Sequence, residues 1–153
     1  MSSFHVIYAS TSGHTEYVVE VLKNVLQEMG FHDIEMQRVE EVQVNDLGRG
    51  DILLLASGTW NTGGVEGQLN PHMDVFLKRR VTDITLKGRK VVVIGLGDER
   101  YRYTCRAADH LEEFVKKHEG VLLCDTLRIV NEPYGQEKKI EAWGRKLCSH
   151  CSS

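Results

Sequence analysis

The stretch Tyr8-Ala-Ser-Thr-Ser-Gly-His-Thr15 decides how this chain is read. A hydrophobic run, Phe4 to Ala9, leads straight into it. A helical pattern leaves it at once, with Val18, Val21, Leu22, Val25, Leu26 and Met29 on one face at spacings of three and four. Between the two, the hydroxyl residues Ser10, Thr11, Ser12 and Thr15 surround one glycine, Gly13. Such a strand–loop–helix junction can hold a phosphate, because the first helical turn offers unpaired N–H groups and the positive end of the helix dipole. The loop has no lysine, unlike the G-x-x-x-x-G-K-[ST] loop of nucleoside triphosphate sites. It has one glycine where a dinucleotide loop has three. It suits a single terminal phosphate bound by donors alone. A Ser/Thr-rich turn can also serve simply as a helix cap, and this segment alone leaves both readings open.

Working outward, apolar strands and amphipathic helices alternate. Strands are expected at 4–9, 32–38, 51–56, 90–95 and 121–130, and helices at 13–29, 68–80, 104–119 and 136–149. Asp51-Ile-Leu-Leu-Leu-Ala56 and Lys90-Val-Val-Val-Ile-Gly95 are nearly continuous apolar runs, as expected of strands covered on both faces. Residues 39–50 read as a surface connection with a short helical turn. Five strands alternating with helices imply an open parallel α/β sheet with right-handed crossovers. The 153 residues, 41% apolar and 27% charged, suit one domain over 1–153. The net charge of −3 singles out no partner. No apolar run is long enough to cross a bilayer, and Met1-Ser-Ser-Phe-His5 does not read as a secretory signal. A cytoplasmic protein with its four cysteines as thiols is the expectation.

In such a sheet ligands bind beyond the carboxyl ends of the strands. Three loops emerge there, 10–15, 57–66 and 96–105. The second, Ser57-Gly-Thr-Trp-Asn-Thr-Gly-Gly-Val-Glu66, holds a tryptophan among glycines. The third, Gly95-Leu-Gly-Asp-Glu-Arg-Tyr-Arg-Tyr-Thr-Cys105, alternates arginine with tyrosine. Gly95 and Gly97 permit a close backbone approach. One aromatic from each loop and a phosphate cradle at the first would form a slot for a planar ring with a phosphate tail. Taken singly, Trp60 and Tyr101 also read as ordinary packing at the sheet edge. His14 reads first as an exposed polar loop residue. Cys148-Ser-His-Cys151 has metal or redox spacing but no second ligand pair, so no metal is expected. The clusters Lys78-Arg-Arg80 and Lys116-Lys-His118 read as solvated helix ends, with too narrow a basic face for nucleic acid.

Ser10-Thr-Ser-Gly-His-Thr15, Gly58-Thr-Trp-Asn-Thr-Gly63, Gly95-Leu-Gly-Asp98, Tyr101-x-Tyr103-x-Cys105, Ala107-Ala-Asp109 and Leu127-Arg-Ile129 come in order along nearly the whole chain. Together they resemble the flavodoxin family, specifically its short-chain members. The resemblance implies a three-layer sandwich, a five-stranded parallel sheet with helices on both faces. Its strand order would be 2-1-3-4-5, which this family commonly illustrates, with FMN at the switch point. It further implies that Ser10, Thr11, Ser12, Gly13, His14 and Thr15 bind the FMN phosphate, with Thr59 adding a donor. Trp60 would cover the inner ring face and Tyr101 the outer. Backbone around Gly97, Asp98, Tyr103 and Cys105 would meet the pyrimidine edge, and the Asn61–Thr62 peptide, with Gly63 beside it, would lie at flavin N5.

The implied function is electron transfer without catalysis. A monomeric carrier would shuttle single electrons from a flavin- or ferredoxin-type reductase to a redox enzyme, through semiquinone and hydroquinone states. An FMN-dependent NAD(P)H:quinone or nitro reductase on the same fold is the alternative, opposed by Tyr101 over the ring. A flavin-free phosphate-binding or signalling module is a further rival, and Tyr8-Ala-Ser10 lacks the acids a receiver domain would need. The chain departs from the usually acidic family in being nearly neutral, with Arg100, Arg102 and Arg106 by the third loop. A less negative hydroquinone potential and a weaker salt dependence of partner association are therefore expected.

Overall fold

The most apolar runs of the chain lie side by side in a computed structural model that describes residues 2–62, 65–81, 83–99 and 105–151. In chain order the elements are β1 (Phe4–Ala9), α1 (His14–Glu28), β2 (Ile34–Arg38), β3 (Ile52–Thr62), β4 (Val65–Leu69), α2 (Pro71–Val75), β5 (Lys90–Gly97), α3 (Arg106–Lys117), β6 (Val121–Leu122), β7 (Leu127–Val130) and α4 (Glu137–Ser149). Short 3-10 turns at Val39–Glu41 and Val44–Gly48 fill the connection before β3, and α2 continues through a π-helical turn, Phe76–Arg80.

Strands β1, β3 and β5 pair in parallel, with Val6 opposite Leu54 and Leu54 opposite Val92. The period of two sends their side chains alternately to two separate cores. Ile7, Leu53, Leu55, Val91 and Val93 pack with Met73, Phe76, Leu111 and Val115 from the α2 and α3 side. Val6, Leu54, Ile94 and Leu96 pack with Val18, Leu22, Ile140 and Leu147 from α1 and α4. Because both faces are covered, alternation of polar and apolar residues vanishes and the strands read as unbroken apolar runs. The layers are therefore helix, sheet, helix.

The path through the sheet is β2-β1-β3-β5-β6, with β7 also paired to β5. This is the expected order 2-1-3-4-5, with the last strand in two pieces. The cause is a mismatch in length. Val91 pairs with Leu122 and Ile94 with Leu127, so five steps of edge strand accompany three steps of β5. The surplus residues leave the ladder, and the carbonyl of Asp125 accepts a hydrogen bond from Trp143 Nε1 (2.8 Å) on α4.

A second correction lies between 57 and 70. β3 runs on past the expected 51–56 and pairs antiparallel with β4, so this stretch is a hairpin, and the sheet of seven segments is not wholly parallel. The helix expected from residue 68 begins only at Pro71. Asn70 caps it by accepting from His72 N (3.0 Å), and Pro71, which lacks an N–H, fits the first turn.

Gly95 fixes the distance between β5 and α3. A Cβ there would lie 2.5 Å from Ala108 Cβ and 2.7 Å from Ala108 N. Backbone cannot yield as a side-chain tip can, so Gly95→Ala should cost about 2–3 kcal/mol in urea unfolding.

Buried His5 on β1 lies 1% exposed, with Nε2 2.7 Å from Gln37 Oε1. Burial outweighs this bond and holds its pKa below the ordinary 6.5; Arg49 pushes the same way, and Glu35 and Asp46 oppose it. A lowered folded pKa means that protonation favours the unfolded chain. The contribution of neutral His5 is complete above about pH 6.5 and is lost as pH falls through the lowered value. His5→Leu should flatten the part of the urea-midpoint decline between pH 7.5 and 5 that the wild type owes to this group.

All four cysteines are free thiols. Cys105 is buried at the start of α3, whereas Cys124, Cys148 and Cys151 pack partly buried against the α1–α4 core. Burial pushes the thiols of Cys124 and Cys151 up to about 11.

Candidate functional site

The loop after β1 is shaped from within and braced from behind. Gly13, at φ +92°, stands at the N-cap of α1 and contributes no capping side chain. Ser10 Oγ does that work, accepting from the N–H groups of Gly13 (3.1 Å) and Glu16 (3.3 Å). Arg38 on β2 donates to the carbonyl of Ser10 (3.1 Å) and to Glu16 Oε2 (2.6 Å). Tyr8 donates to the same carboxylate (2.8 Å), and burial, followed by this bond, pushes its phenol up to about 12. Arg38 is therefore a cation close to the loop but engaged with Glu16 on its outer side. Sequence alone gave no hint of it, because β2 is distant in the chain.

The loop opens on a cleft of about 750 Å³ at the carboxyl edge of the sheet. Thr11, Ser12, His14 and Thr15 form one end. Gly58, Thr59 and Trp60 on β3 form a wall with Glu66 and Gly67 on β4. Leu96 and Gly97 at the end of β5, then Asp98 and Glu99, form the other. The indole of Trp60 is 37% exposed and lies over Gly58, where a Cβ would be 3.1 Å from its Nε1. Among the described residues, no lysine or arginine lines the cleft.

Eight of the expected residues thus meet in one cleft: Thr11, Ser12, His14, Thr15, Thr59, Trp60, Gly97 and Asp98. Ser10, Gly13 and Cys105 do not line it. Cys105, in the left-handed region at φ 59°, donates from Sγ to the carbonyl of Ile129 (3.3 Å), while its own carbonyl accepts from Arg128 (3.2 Å). It is packed at the N-cap of α3, and its side chain is turned to Ile129 rather than to the cleft where its backbone was expected to meet a ligand. Asn61 and Thr62 end β3, where the register shifts between Trp60 and Thr62. Gly63, Tyr101 and Tyr103, like Arg100, Arg102 and Thr104, lie outside the described residues.

Thr59 needs a correction. Its single hydroxyl proton goes to the carbonyl of Leu96 (2.7 Å), and its oxygen accepts from Ala107 N (3.0 Å). It is a strut joining β3, β5 and α3, and in this arrangement it has no proton to give a phosphate.

Sequence reasoning missed a fourth loop, after β7. Asn131, at φ 69°, donates from its N–H to the carbonyl of Gly97 (2.7 Å) and accepts at Oδ1 from Glu99 N (3.0 Å), which fixes the turn beyond β5. The signal was present in Asn131-Glu-Pro133, a turn composition directly after an apolar run. The acidic rim was missed as well. Glu66 on β4, Asp98 and Glu99 after β5 and Glu132 after β7 line one cleft, so net charge does not describe the local field.

A family model described as Flavodoxin matches residues 6–143. The chain belongs to the flavodoxin family. A flavodoxin from Maridesulfovibrio salexigens is 36% identical over 147 residues, 94% of this chain and 95% of that one. Oxidised flavodoxin 2 from Bacillus cereus superposes with a TM-score of 0.86 at 27% identity, covering 97% of this chain and 99% of the other. Flavodoxin 1 from the same organism gives 0.85 at 25%, covering 99% and 100%. Flavodoxins are FMN-binding electron carriers, not enzymes, and this chain is one of them by sequence and by fold.

Gly13→Ala would force a side chain into the left-handed region at the mouth of the loop. The expected cost is about 1–2 kcal/mol, seen as a melting temperature lowered by about 2–6 °C.

Proposed function

We propose that the cleft is the FMN site of a one-electron carrier. The observation that supports this most directly is the meeting, in one cleft, of a donor-rich helix start and an exposed indole. A volume of about 750 Å³ falls in the range of clefts that take ligands of this size. Thr11, Ser12 and Thr15, with the N–H groups at the start of α1, would hold the phosphate by hydrogen bonds and dipole. Trp60 would lie along one ring face, and Gly97 and Asp98 would meet the pyrimidine edge.

The flavin supplies the redox chemistry, taking up one or two electrons. What the chain supplies is a choice between oxidation states. Asn61 falls at the break in the β3–β4 register, so the Asn61–Thr62 peptide is not held by a regular ladder and can turn its carbonyl toward an N–H at N5. A hydrogen bond made only after reduction stabilises the reduced forms by about 1 kcal/mol. The rim carboxylates act in the opposite sense on the second electron, since their charge disfavours an added negative charge nearby. The two effects separate the one-electron steps, which suits a monomeric, single-domain cytoplasmic carrier. It would cycle between semiquinone and hydroquinone, taking electrons from a flavin- or ferredoxin-type reductase and giving them to a redox enzyme. Among the described residues no helix is long and apolar enough to cross a membrane.

Stepwise anaerobic reduction of the purified protein, followed by absorbance, tests this reading. Flavin bands should give way to a long-wavelength neutral radical before bleaching. Direct bleaching with no radical, or steady NADH consumption with no added reductase, would overturn the one-electron role.

A further inference from the structure

Asn70 is fully buried, yet it is a polar side chain with both ends occupied. Its Oδ1 caps α2 through His72 N (3.0 Å), and its backbone N–H donates to Ser57 Oγ (3.1 Å) at the point where β3 leaves the central sheet. Its Nδ2 donates to Thr11 Oγ1 (3.0 Å), across 59 residues of sequence. One residue thus links the helix behind the cleft, the root of the β3–β4 hairpin and the tip of the anion-binding loop. A purely structural cap would need only the first of these bonds.

The direction of the last bond matters. A hydroxyl has one proton and two lone pairs. With Nδ2 donating into one lone pair, the Thr11 proton cannot point at Asn70. Thr11 is exposed and lines the cleft, so its proton is left on the cleft side. We infer that Asn70 is a positioning residue for phosphate recognition: from behind the loop it sets Thr11 as a donor facing the cleft. The inference rests on the FMN reading of the cleft.

Asn70→Asp provides a nearly isosteric test. A carboxylate can still accept from His72 N but cannot donate to Thr11. Thr11 must then donate to it, which withdraws the proton from the cleft and puts a negative charge behind the loop. The apoprotein should lose about tenfold or more in affinity for FMN, while affinity for riboflavin, which lacks the phosphate, changes by less than about twofold. Thr11→Val, at an exposed position that does not threaten folding, should show the same selective loss, and Thr11→Ser should restore it. Wild-type apoprotein that bound FMN no better than riboflavin would defeat the underlying reading of the cleft. Wild-type discrimination that survives unchanged in Asn70→Asp, whatever Thr11→Val does, or an equal loss of both ligands, would overturn the role of Asn70.

Discussion

The parallel pairing of β1, β3 and β5, buried on both faces, is the constraint from which the rest follows. Parallel strands in register end at the same edge, so the loops after them must emerge together. The residues of 10–15, 58–60 and 97–99 are far apart in sequence and converge only because Val6, Leu54 and Val92 lie abreast. The helices are needed to cover both faces, and Gly95 sets how closely α3 can do so.

The parts of this fold that were legible in the sequence were those governed by local periodicity. The apolar runs in β1, β3 and β5 and the stripe on α1 follow from repeat alone, and the boundaries of β1 and α1 lie within a residue of those expected, whereas β3 runs six residues further. The hairpin was legible in principle. Gly63-Gly64 between Trp60-Asn-Thr62 and Val65-Glu-Gly-Gln-Leu69 is a turn signal flanked by strand residues, but the glycines suggested a loop. Asn70-Pro71 likewise carries the signature of a helix start, two to three residues beyond the start expected at 68. The two-piece edge strand was not legible, because its cause is a difference in length against β5, which only the assembled sheet defines.

The same division applies to the site. Residue types pointed to the loop after β1 as part of a site, and eight of the expected residues do line one cleft. Which atoms face the cleft is another matter. Thr59 and Ser10 are both hydroxyl residues beside it, yet each is drawn into bonding within the protein, and that depends on partners at Leu96, Ala107 and Glu16 that composition cannot reveal. Arg38 and Asn70 come from distant segments, and both act on the loop from outside it. Local chemistry thus indicates which loops meet at the cleft, and tertiary contacts decide which of their hydroxyls are engaged within the protein.

The burial of the thiols has a consequence for a chain that handles electrons. Reduced flavin near oxygen generates peroxide, whose target on protein is the thiolate. Burial pushes Cys124 and Cys151 up to about 11, so neither is a thiolate to any useful extent at pH 7. These two thiols are thereby held in the protonated form, which reacts slowly with peroxide.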